Sequence, residues 1–193
     1  MGSFLKFFLN ASVTNILPDT QGNLYMRSTN KVIKLSSLGE VIWEYLVVGI
    51  ITKISLDSQG NIYVSMNSDG RGKVIKLSPS GEVIWVYYII SDENIQIKSS
   101  DITTDSLGYS YITTSHYNIP LGGEIIKLSP YGEVVWKYGH KGYGGISISS
   151  DTQGNIFANY CNSNNSSYYG EVIALKDNYK LEKVAVLKER GGN

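Results

Sequence analysis

The sequence predicts an all-β protein built from four copies of a four-stranded unit. Three observations predict it. First, one apolar–turn–apolar phrase is written three times: "KVIKLSSLGEVIWEY" at 31–45, "KVIKLSPSGEVIWVY" at 73–87 and "EIIKLSPYGEVVWKY" at 124–138. Second, an Asp-x-x-Gly phrase precedes each copy, in "LPDTQGNLYM", "LDSQGNIYVS", "TDSLGYSYIT" and "SDTQGNIFAN". Third, the composition is rich in Ile, Val and Tyr, which favour strands, and in Gly, Asn and Ser, which favour turns.

The elements follow in order, here named strands A to D within each unit. Strand A is the apolar run before the Asp, such as "TKISLD" at 52–57. The A–B turn has Asp19, Asp57, Asp105 or Asp151 at its first position and Gly22, Gly60, Gly108 or Gly154 at its fourth, which suits a type I turn followed by a positive φ. Strand B is "NIYVS" at 61–65, and a variable segment leads to strand C, "KVIKLS" at 73–78. The C–D turn ends in Gly39, Gly81 or Gly132, as a type I turn closed by a glycine bulge requires. That turn is expected to pair Ser78 with Glu82, Leu77 with Val83 and Ile75 with Trp85. Ile75, Leu77, Val83, Trp85 and Tyr87 then share one face of the sheet, and Lys76, Ile84 and Val86 the other.

The turn glycines stand 38, 48 and 46 residues apart, within the range of propeller blades. The units fall at about 12–45, 51–88, 97–138 and 145–187 of a single domain spanning 1–193. Residues 1–11, with "SFLKFFLN", read as a spare strand D. It could close a ring on the last blade or pair with another chain. The fourth unit is degenerate: Tyr179 stands where the turn Gly belongs and Lys183 where the Trp belongs. "LKDNYKLEKVAVLKER" has the best helical spacing in the chain, but its place in the repeat makes it strand.

The stretch "IYVSMNSDGRGKVIKLSPSGEVIWVY" resembles the PQQ-type propeller repeat, and Asp-x-x-Gly-Asn-apolar-Tyr is similar to the NHL repeat. The resemblance implies four-stranded blades with strand A innermost. It gives Trp43, Trp85 and Trp136 the role of docking neighbouring blades. No cofactor is carried over, because the quinone-binding residues of quinoproteins lie outside the repeat and in chains with about twice as many blades. Four units imply either a closed four-bladed ring or part of a larger ring completed by another copy.

Composition narrows the function. The chain has 193 residues, with 17 Lys plus Arg against 17 Asp plus Glu, so a nucleic-acid or anionic-membrane partner is disfavoured. One cysteine, Cys161, permits neither an internal disulfide nor a multi-cysteine metal cluster. The opening "MGSFLKFFLNAS" is too short and broken to span a bilayer and makes a poor signal peptide, so the chain reads as soluble with its compartment open. The turn aspartates lack the ligand ladder of a calcium loop, and "GYGG" at 142–145 lacks the partners of a phosphate loop. "CNSNNSSYYG" at 161–170 holds sequons at Asn164 and Asn165, and Asn10 starts another, relevant only to a secreted eukaryotic chain.

Function is therefore expected where the repeats differ, at 66–72, 89–96, 114–123, 139–145 and 160–169. The first reading is a non-enzymatic binding or assembly module, associating with a protein partner or with itself and needing neither metal nor cofactor. Asp92, Glu93, Tyr117, Tyr143, Tyr168 and Tyr169 are its candidate contact residues. The second is a propeller enzyme, a metal-assisted lyase or hydrolase, with His116 and His140 as acid, base or metal ligands. The third is a carbohydrate-binding propeller using the same tyrosines.

Overall fold

The computed structural model describes residues 12–90, 96–116, 122–140, 143–151, 154–164, 167–175 and 181–187. These form four antiparallel sheets of four strands each. The first holds β1 (Asn15–Pro18), β2 (Leu24–Arg27), β3 (Lys31–Leu35) and β4 (Val41–Leu46). The second holds β5 (Ile50–Leu56), β6 (Ile62–Ser68), β7 (Arg71–Leu77) and β8 (Val83–Tyr88). The third holds β9 (Ile97–Thr104), β10 (Ser110–His116), β11 (Gly123–Leu128) and β12 (Val134–His140). The fourth holds β13 (Tyr143–Ser150), β14 (Ile156–Asn164), β15 (Ser167–Leu175) and β16 (Leu181–Leu187). In every sheet the strands neighbour one another in chain order, as in a propeller blade. The expected spare strand at 1–11 and the Tyr179 turn lie outside the described residues.

The A–B turns are held by their aspartates. Asp19 Oδ1 accepts the backbone N–H groups of Gln21 and Asn23 at 2.9 and 2.8 Å, and Oδ2 accepts from Asn23 Nδ2 at 2.8 Å. Asp57 makes the same three bonds with Gln59 and Asn61. The glycine that follows has φ near +80° in all four blades, a conformation that costs an L-residue about 1–2 kcal/mol.

The C–D hairpin corrects the expected register. Ser78 N–H bonds Glu82 C=O and Leu77 lies opposite Val83, but Lys76 lies opposite Trp85 and Ile75 opposite Val86. A bulge between Lys76 and Leu77 inserts Ile84 as an extra residue and reverses the pleat beyond it. Trp85 therefore shares a face with Lys76, not with Ile75. The same shift recurs at Lys34/Leu35 and Lys127/Leu128.

Two segments read as variable loops are strand instead. β6 and β7 run through 66–72, joined by Asp69-Gly70, both at positive φ (52° and 76°). Such a two-residue turn matches the twist of the flanking strands and lets them extend to its edge. β14 and β15 likewise run through 160–169 up to residues 165 and 166.

The core lies between the sheets. Tyr25 and Val32 of the first blade pack on Ile54, Ile62, Val64, Ile75 and Leu77 of the second. Tyr63 and Val74 of the second pack on Ile102, Ile112, Ile126 and Leu128 of the third. Tyr111 and Ile125 of the third pack on Ile148, Ile156, Ile173 and Leu175 of the fourth. Period-2 alternation thus serves two interfaces at once, one from each face of a blade. Along the inner edge β1 packs on β5, β5 on β9 and β9 on β13. Among the described residues no packing of comparable extent joins β13 back to β1.

Candidate functional site

Three places concentrate polar chemistry: the inner strands, the blade junctions and a cleft on the B–C side. The inner strands carry one row of equivalent positions, four residues before each turn Asp: Asn15, Lys53, Asp101 and Ser147. Each contacts the neighbouring blade. Asn15 Oδ1 accepts Ile54 N–H at 3.3 Å, and Lys53 Nζ reaches Asp101 Oδ1 at 2.9 Å. Asp101 Oδ2 accepts from Ser147 Oγ at 2.8 Å and from Ile148 N–H at 3.0 Å, while its Oδ1 accepts Ile102 N–H at 2.8 Å. The Asp101 carboxylate is buried and filled with donors, so it acts as a tie between three blades.

At each junction a Tyr, a Lys and a Trp form a latch. Lys34 Nζ and Trp43 Nε1 both donate to Pro79 C=O of the next blade, at 3.0 Å each. Lys76 Nζ and Trp85 Nε1 both donate to Pro130 C=O, at 3.1 and 2.9 Å. Each Lys lies 4.9 Å over the ring of its blade's strand-B tyrosine, Tyr25 or Tyr63, and each Trp meets that ring edge-on, at 6.0 or 5.8 Å. Lys127, Tyr111 and Trp136 repeat the aromatic and cation–π set in the third blade. Burial pushes the Lys76 ammonium below the usual lysine range, against the opposing pull of Asp57 at 3.8 Å. Burial, and then the Asp57 charge, push the Tyr63 hydroxyl strongly upward, so it stays a donor. Its single proton is shared between Gly108 C=O at 2.8 Å and Asp57 Oδ2 at 3.2 Å.

The indoles rest on the next blade's C–D glycine. A Cβ on Gly132 would stand 2.8 Å from Cδ2 of Trp85, and one on Gly81 would stand 3.0 Å from Cδ2 of Trp43. Gly132→Ala is therefore expected to cost about 2–4 kcal/mol, combining left-handed strain with overpacking. Gly154→Ala, also at positive φ (+81°) but with nothing within 4 Å of the new Cβ, is expected to cost only about 1–2 kcal/mol. Urea denaturation of both variants checks the difference; equal costs would remove the indole contact from the account.

On the B–C side a cleft of about 690 Å³ is lined by Ser68, Asp69, Arg71, Lys73, Tyr88 and Gln96 among others. Arg71 and Lys73 stand two apart on β7 and so share a face. Lys73 also lies opposite Tyr88. Arg71 falls in the variable segment 66–72, where the sequence assigns no face, so its side-by-side placement with Lys73 of strand C comes only from the length of β7.

The residues singled out from the sequence lie elsewhere. His116 ends β10, half-buried, and its N–H bonds Gly122 C=O at 3.3 Å. His140 ends β12, opposite Gly123. The two histidines therefore close the same end of one blade, on strands separated by β11, His140 opposite its first residue and His116 bonded to the residue just before it. Tyr143 begins β13 opposite Cys161, and Tyr168 and Tyr169 lie in β15 opposite Ser163 and Asn162. Asp92, Glu93 and Tyr117 lie outside the described residues. Among the described residues no group of three or more His, Cys, Asp or Glu could hold a metal ion, and no helix is long and apolar enough to cross a membrane.

No protein-family model matches the chain, and no curated relative matches it. Solved structures do match. The chain is similar to the Dos1 propeller at 15% identity and a TM-score of 0.66, over 89% of this chain and 46% of that one. It is similar to the Neurospora crassa Pan2 WD40 domain at 16% identity and a TM-score of 0.59, over 88% of this chain and 50% of that one. A quinohemoprotein alcohol dehydrogenase from Pseudomonas putida matches at 12% identity and a TM-score of 0.59, over 81% of this chain and 31% of that one. These likenesses show a β-propeller fold, and the chain spans half or less of the length of each of these three structures.

Proposed function

We propose that the chain is a non-enzymatic binding or assembly module that associates with a protein partner or a second copy through its outer rim. One observation carries this reading. Among the described residues β4 and β8 have a strand neighbour on one side only, and the outer strands β4, β8 and β12 each expose an apolar pair at the same position, Val41 and Ile42, Val83 and Ile84, Val134 and Val135. Their exposures run from 43 to 53%. Leu38 and Tyr131 at the adjoining turn tips extend the stripe at 72 and 83%. A repeated apolar stripe along outermost strands supports the docking of an extended strand or a second blade.

The test is solution mass by light scattering on the wild type and on the triple variant Ile42→Lys, Ile84→Lys, Val135→Lys. These side chains are exposed, so the variant keeps its far-UV spectrum. A wild-type mass of two or more chains that falls to one in the variant supports self-association. A wild-type monomer whose affinity for an identified protein partner falls at least tenfold in the variant supports the partner form. A wild type that stays monomeric, with no partner affected by the variant, sinks the reading.

A further inference from the structure

The junction between the first two blades differs from the next one at its strand-B tyrosine, whose hydroxyl is left unbonded. Tyr63 shares its proton between Gly108 C=O and Asp57 Oδ2. Tyr111 reaches Asp105 Oδ2 at 3.0 Å. Tyr25 occupies the equivalent position on β2, is fully buried, and its hydroxyl has no hydrogen-bond partner. The groups that correspond to Tyr63's partners are Asp19 and Gly60. Both line a cleft of about 420 Å³ on the turn side of this junction, together with Tyr25, Lys34, Asp57 and Pro79. A buried orphan hydroxyl is costly, and the two sister tyrosines show that this fold can satisfy it. The volume lies inside the range of about 300–1,000 Å³ usual for small-molecule sites.

We infer that this cleft is a binding site for a small, neutral, hydroxyl-rich ligand of the monosaccharide class. Tyr25 supplies an uncommitted hydroxyl. Lys34 Nζ has protons beyond the one given to Pro79 C=O. Asp19 supplies a carboxylate, whereas that of Asp57 is paired with Lys76 at 3.8 Å, so Lys34 is balanced by Asp19 and a ligand of net charge finds no compensation. That balance disfavours an anion. A ligand whose groups both donate and accept matches ammonium, phenol and carboxylate together without burying a further charge. Pro18, Leu56 and Pro79 offer apolar wall to the C–H faces of such a ring. The site lies on the turn side of the blades, away from the tyrosines at 143, 168 and 169, and does not rest on the rim reading.

The experiment uses the full chain, the isosteric variant Tyr25→Phe and the sister variant Tyr63→Phe. Without ligand, Tyr63→Phe is expected to lower Tm by several degrees, of the order of 5 °C, while Tyr25→Phe leaves Tm unchanged or raises it. Glucose, galactose, mannose and N-acetylglucosamine are then titrated by calorimetry, with phosphate and glycine as charged contrasts. Saturable binding of at least one sugar to the wild type is expected, weakened at least tenfold in Tyr25→Phe and unchanged in the rim variant. The inference is overturned if Tyr25→Phe costs as much Tm as Tyr63→Phe. It is equally overturned if no sugar binds saturably, if only phosphate or glycine does, or if Tyr25→Phe binds the sugar as well as the wild type.

Discussion

Asp101→Ala is expected to destabilise the chain by about 3–5 kcal/mol, the largest single effect among these variants. Asp101 is 4% exposed, and its carboxylate accepts from Ile102 N–H, Ile148 N–H, Ser147 Oγ and Lys53 Nζ. Alanine strands both backbone donors, which belong to residues buried to 1 and 3% exposure. Lys53 contributes least to the loss because its own side chain is 39% exposed and can turn to water. Asp101→Asn keeps one acceptor oxygen and presents an amide to one of the donors, so roughly half the cost is expected, about 2 kcal/mol. Guanidinium denaturation followed by far-UV circular dichroism and by tryptophan fluorescence checks both. Because Asp101 joins the second, third and fourth blades, the alanine variant is also expected to separate the two probes, with the fourth blade losing structure first. Coincident transitions with a cost under 1 kcal/mol would show that the tie is not energetically significant.

Trp85→Ala comes next, at about 3–4 kcal/mol. The indole fills the space between the second and third blades, meets Tyr63 edge-on and donates to Pro130 C=O. Trp85→Phe keeps a ring on Gly132 and Tyr63 but loses the donor. Lys76 still bonds Pro130 C=O, so the carbonyl is not orphaned and the cost is expected to be about 1 kcal/mol. The gap between the two variants measures packing against hydrogen bonding at the junction. If phenylalanine costs as much as alanine, the hydrogen bond dominates and the packing account fails. Denaturation midpoints at constant m decide it.

Much of this architecture was legible in the chain. The Asp-x-x-Gly phrase encodes a turn whose bonds all close within five residues, as Asp19 shows with Gln21 and Asn23. The lysines of "IKLS", Lys34, Lys76 and Lys127, were visible as charges inside an apolar strand, a signal of a specific partner that the sequence reading left unused. The sequence places both histidines in variable segments, His116 in 114–123 and His140 in 139–145. That His116 bonds Gly122 and His140 lies opposite Gly123 depended on strand ends that only pairing with β11 sets.

The register past the C–D turn was not legible, and the reason is physical. A glycine bulge fixes the first pairs, but the second bulge at Lys76/Leu77 is selected by what lies on either side of the sheet. One face meets Ile54 and the other meets Ile102 and Pro130, residues of different blades. By itself the sequence determined the repeat, the turns, the strands and hence the propeller class, because those rest on interactions between near neighbours and on a two-residue period. The tertiary structure alone decided that Trp85 sides with Lys76, that Asp101 ties three blades and that Tyr25 lacks the partner its sisters have. Those facts rest on bonds between residues some 45 positions apart, such as Trp85 to Pro130. Periodicity shows only that such a face exists; contact between folded blades determines what it meets.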